Sequence, residues 1–73
     1  MASRRLLLIC EPLDGCNANE VAASLEESGV AVCGLKIDEI ADVAYIVVET
    51  DASDYAIRGI ARGWRICAVP PRH

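Results

Sequence analysis

Asn17-Ala18-Asn19-Glu20-Val21-Ala22-Ala23-Ser24-Leu25-Glu26-Glu27-Ser28-Gly29 is the stretch from which the fold of this chain is read. Ala18, Val21, Ala22 and Leu25 fall at i, i+3, i+4 and i+7, one face of an α-helix, and Glu20, Glu26 and Glu27 lie off that face. Asn17 and Glu20 have the spacing of a capping box, in which the first side chain accepts from a free backbone N–H and the second reaches back. Gly29 stands where a left-handed C-terminal cap is wanted. The stretch therefore predicts a helix opened by Asn17 and closed by Gly29.

Upstream of the helix, Arg4 to Cys10 is a strand with a continuous apolar run, closed by Glu11-Pro12. Glu11 to Cys16 is a loop with Asp14-Gly15 as its turn signal. Downstream, Val30 to Ile37 is β-rich and loosely alternating, with Gly34 weakening it or marking a bulge. Asp38 to Asp42 is an acidic connection of hairpin length, and Val43 to Glu49 is a third strand, apolar on both faces. Thr50 to Asp54 supplies capping residues for a second helix running to about Arg62, with Ala56, Ile57, Ile60 and Ala61 inward and Arg58 and Arg62 outward. Gly63 ends it. Trp64 to Val69 is a fourth strand, stopped by Pro70-Pro71.

The order is β α β β α β, two split βαβ units with right-handed crossovers. It predicts an α+β fold of the ferredoxin-like type: a four-stranded antiparallel sheet with two helices on one face. The first and third strands, the most uniformly apolar, belong at its centre. Residues 1–73 leave no room for a linker, so a single domain is expected.

In a chain of 73 residues, 53% are hydrophobic and none is Phe, so the core must be aliphatic. The net charge of −4 repels phosphate backbones, which argues against nucleic acid as a partner; Arg58, Arg62 and Arg65 are read as a solvated face. Arg4-Arg5 followed by Leu6 to Cys10 resembles the start of a signal peptide, but the run is too short for one and far too short to span a bilayer. The expectation is a cytoplasmic protein with no membrane partner. Cys10, Cys16, Cys33 and Cys67 make no Cys-x-x-Cys pair, and the one histidine is His73. Zinc ligands usually come in close pairs. Cys10, Cys33 and Cys67 fall in strands, where a thiol packs as a small hydrophobe. The expectation is buried, reduced thiols, ahead of a metal or redox pair and of structural disulfides, with no metal and no cofactor. Cys16, in a loop, is the thiol marked for reactivity.

Two helices cover only one face of a four-stranded sheet, and the other face should alternate polar residues. Leu6 to Cys10 and Val43 to Val48 do not alternate. The bare face, or an edge strand beside it, is expected to meet another copy of the chain or a different protein. Catalysis is not expected: Ser3, Ser24, Ser28 and Ser53 have no internal histidine to activate them. Glu26-Glu27 and Asp38-Glu39 are adjacent surface residues rather than a facing carboxylate pair, and no glycine-rich loop cradles a phosphate. The first loop ends at a helix N-terminus, where unpaired N–H groups favour an anion. Asp14, Gly15, Cys16 and Asn17 are candidates for a collar around a small anionic or zwitterionic ligand. The alternative is that Asn17 merely caps its helix.

The stretch Asp14 to Val32, with its acidic residue, glycine, Leu25-x-x-x-Gly29 helix end and immediately following strand, resembles the opening of an ACT domain, the amino-acid-sensing module of many metabolic enzymes. Asp42 to Glu49 and Ala56 to Ile66 are similar to that family's closing elements. The resemblance implies a small amino-acid-like effector bound at a subunit interface, with Gly15, Cys16 and Asn17 lining the first loop and Val30 and Ala31 the start of the second strand. The chain departs from the family in having Pro12-Leu13-Asp14-Gly15 where Asp-x-Pro-Gly is common. It also has Ala31, without a polar side chain, where Asn is common. The competing expectation is a protein–protein interaction module of the same fold with no small ligand. A metal-carrier domain of this topology would resemble Cys-x-x-Cys carriers in its first loop, and this chain does not.

Overall fold

The computed structural model describes residues 3–69. Seven elements follow one another: β1 (Arg4–Cys10), a 3-10 turn (Leu13–Gly15), α1 (Ala18–Glu27), β2 (Ala31–Asp38), β3 (Val43–Thr50), α2 (Asp54–Ile60) and β4 (Arg65–Ala68). The strands form one antiparallel sheet in the order β2-β3-β1-β4, the ferredoxin-like arrangement, with β1 and β3 central. The register is set by β1 on β3, with Leu6 opposite Val48, Leu8 opposite Ile46 and Cys10 opposite Ala44. A bulge falls between Val32 and Gly34 of β2, where the glycine weakens the pattern.

Alternation sorts the side chains. Leu6, Leu8, Ala44, Ile46 and Val48 point to the helical side, where they pack with Leu25, Ile57, Ala61 and Trp64 in one aliphatic cluster. Each of these is nearly or fully buried. Ala18 and Leu25 of the helical face are buried, Val21 and Ala22 half-buried, and the three glutamates exposed. Coverage stops short on β2: Leu35 and Ile37, on the helical side by register, are 41% and 46% exposed. On the other face Leu7, Ile9, Tyr45 and Val47 are half-buried.

Four local expectations need correction. Asn17 does not cap α1 with its side chain. Its φ of 50° and ψ of 51° are left-handed, whereas a side chain reaches the N2 or N3 amide only from extended backbone. Ser53, at φ −73° and ψ 160°, does cap α2, accepting from the Ala56 amide at 3.2 Å. The second helix ends at Ile60, before Arg62, because the chain leaves helical geometry at Ala61 and turns at Gly63, φ 84°. Ala56 is exposed rather than inward. The cysteines differ most: Cys10 and Cys16 are joined in a disulfide, and Cys33 and Cys67 are exposed. The pairing is geometric, since the loop after β1 doubles back and brings the two Cα atoms to 5.9 Å. The Gly29 cap, at φ 90°, is as expected. The strand stop expected at Pro70-Pro71 and His73 lie outside the described residues. Among those described, no helix is long and apolar enough to cross a membrane.

Candidate functional site

The loop leaving β1 is held at three points before it enters α1. The disulfide ties Cys16 back to Cys10 at the end of the strand. The Leu13 amide donates to Oδ1 of Asp42 in the β2–β3 turn at 3.2 Å. The Cys16 amide donates to the Leu13 carbonyl at 3.1 Å, closing the 3-10 turn. Cys16 Sγ lies 3.0 Å from the Pro12 carbonyl oxygen. Cys16 is only 3% exposed, so the loop is packed down on the core. Asn17 then turns the chain through its left-handed conformation into α1, a conformation Asn tolerates better than most residues.

The result is an open groove of about 250 Å³ with Gly15, Cys16 and Asn17 at one end. Glu20, Val21 and Ser24 of α1 line it, together with Ile60 at the end of α2 and Arg62 just beyond. The βαββαβ connection makes the two helices antiparallel, so the first turn of α1 and the residues leaving α2 meet at the same end of the molecule. Glu20 and Arg62 bring opposite charges to this groove, and neither has an ion-pair partner among the described residues. Among the described residues three ion pairs form, Arg4–Asp54, Arg5–Glu49 and Arg65–Glu11, and none involves a residue lining the groove. With no side-chain cap on α1, the first amides of the helix remain available as donors.

Of the six residues proposed from sequence, Gly15, Cys16 and Asn17 line this groove together. Asp14 is exposed on the 3-10 turn beside it and does not line it. Val30 and Ala31 stand at the other end of α1, about 15 Å away along a ten-residue helix. Val30 is buried in the core and Ala31 is exposed opposite Glu49. One chain therefore does not bring all six to a single site. Glu20 and Arg62 were missed by sequence reading because they are 42 positions apart, Glu20 being assigned to a capping box and Arg62 to a solvated face. The signal available was topological: antiparallel helices place the start of the first beside the end of the second. No family model, curated protein or solved structure matches the chain.

Proposed function

We propose that this chain is a non-catalytic binding module that takes a small zwitterion of the amino-acid type in the groove at the N-terminus of α1. The observation that carries this reading is that Glu20 and Arg62, oppositely charged and unpaired among the described residues, line one groove. Arg62 and the first amides of α1 suit a carboxylate, since a planar guanidinium and unpaired N–H groups both donate to it. Glu20 suits an ammonium. A volume of about 250 Å³ falls below the range typical of drug-sized ligands, about 300–1,000 Å³, and matches a smaller metabolite. The sequence resemblance to the ACT domain points the same way, and the proposed site keeps that resemblance's Gly15, Cys16 and Asn17 without its Val30 and Ala31.

The test is thermal unfolding against a panel of single amino acids and the matching amines and carboxylic acids. A ligand that binds only the folded state, at ten times its Kd, stabilises by about 1.4 kcal/mol. In a domain of this size that raises Tm by roughly 5–10 °C. The amino acid should act where its amine or acid fragment alone acts weakly, and R62Q and E20Q should each abolish the rise. No rise with any amino acid, or an equal rise in both variants, would contradict the reading. The uncovered sheet face favours a second reading, an interaction module that meets another protein chain through Leu7, Ile9, Tyr45 and Val47.

A further inference from the structure

The open face of the sheet has an internal order that does not depend on the groove. Three rows of residues cross it from β2 through β3 and β1 to β4. The middle row is Cys33 beside Gly34, then Val47, Leu7 and Cys67. One end row is Ala31, Glu49 and Arg5, and the other is Lys36, Tyr45, Ile9 and Arg65. Cys33 is the extra residue of the β2 bulge, between the inward Val32 and the open-side Gly34, and both it and Cys67 are exposed.

We infer that a second copy of this chain covers this face, in a two-fold dimer whose axis runs along the strands between β1 and β3. That rotation lays β3 of one copy over β1 of its partner and β2 over β4, and keeps each row over itself, reversed. Val47 meets the partner's Leu7, and Tyr45 meets the partner's Ile9, so the half-buried apolar residues cover one another. Glu49 meets the partner's Arg5. The Arg5–Glu49 pair, 3.5 Å apart within one chain, thereby becomes a ring of four alternating charges. A two-fold axis across the strands lays β3 on β3 and β1 on β1 and loses that complementarity. Lys36 approaches the partner's Arg65, whose guanidinium is already held by Glu11 at 3.1 Å. Four strands about 4.8 Å apart and averaging about seven residues give a footprint of roughly 440 Å² per copy, or roughly 900 Å² for the pair. This is close to the lower bound of about 1,000 Å² for a specific interface, so the dimer should be concentration-dependent.

The rows also assign the cysteines: Cys33 of one copy faces Cys67 of the other at both ends of the middle row. Aligned sheets cross at about 30°, which shifts the row ends by about one residue, within reach of a short bis-maleimide. The experiment is cross-linking of the intact protein, with sedimentation measured from micromolar to millimolar. The wild type should cross-link to a dimer. C33S alone and C67S alone should not, while their equimolar mixture should give a singly linked heterodimer. E49R should weaken dimerisation about tenfold or more by juxtaposing like charges, and R5E/E49R should restore it. A monomer at every concentration with no cross-link leaves the face to another protein or to solvent, and overturns the dimer. Efficient self-cross-linking of either single variant overturns it equally, because it requires a different axis. Far-UV circular dichroism keeps a misfolded variant from being read as a monomer.

Discussion

Single residues divide into those held by the core and those held by the turn geometry around them. Leu8 and Ile46 are fully buried, face each other across β1 and β3, and share one core cluster with Leu25 of α1 and Ile57 of α2. Truncating either to Ala removes apolar contact and leaves a cavity, a change that costs about 2–5 kcal/mol. Urea unfolding should show either variant largely or wholly unfolded, since a domain this small has little stability to lose. The two helix starts give a sharper contrast. Ser53 accepts a cap bond from Ala56, so S53A should cost about 1 kcal/mol. Asn17 makes no such bond and sits in a left-handed conformation that glycine adopts freely. N17G should leave Tm unchanged or raise it, and a fall matching that of S53A would contradict the left-handed turn. The sequence assigned a cap to Asn17 by its spacing from Glu20, and to the second helix by the run of capping residues Thr50 to Asp54. It missed the difference because the left-handed backbone at Asn17 is not revealed by any local spacing.

Strands and helices were legible where their signals were strong. β1 runs from Arg4 to Cys10 as read, because an apolar run ended by Glu-Pro has one boundary on each side. The bulge near Gly34 and the left-handed Gly29 followed from residues that lower the cost of those conformations. The end of α2 was misplaced, since Ile60, Ala61 and Arg62 still fit a helical pattern while the chain has already begun its turn to Gly63. The loop before α1 was the least legible element. Its cysteines are six positions apart, a spacing that says nothing of whether a loop doubles back. That loop now carries a prediction. Closing seven residues with a disulfide restricts the unfolded chain by about 2 kcal/mol on the chain-entropy model. Reduction, or C10S/C16S, should lower the free energy of unfolding by that amount. An unchanged midpoint would mean that the 3-10 turn and the Leu13–Asp42 bond hold the loop without it.

At the level of the whole molecule, an aliphatic sheet of four strands carries two antiparallel helices on one side and leaves an apolar face on the other. The overall order was readable because six elements in that sequence admit few topologies. The groove was readable only in part: Gly15, Cys16 and Asn17 are local to one loop, whereas Arg62 arrives from the other half of the fold. Binding of a small zwitterion in this groove, as proposed above, can be read by two-dimensional amide NMR of labelled protein titrated with pools of amino acids. Saturable shifts are expected at Gly15, Asn17, Glu20 and Arg62, with Val47 and Cys67 on the sheet face unmoved. An unchanged spectrum at millimolar amino acid, or shifts confined to the sheet face, would contradict it.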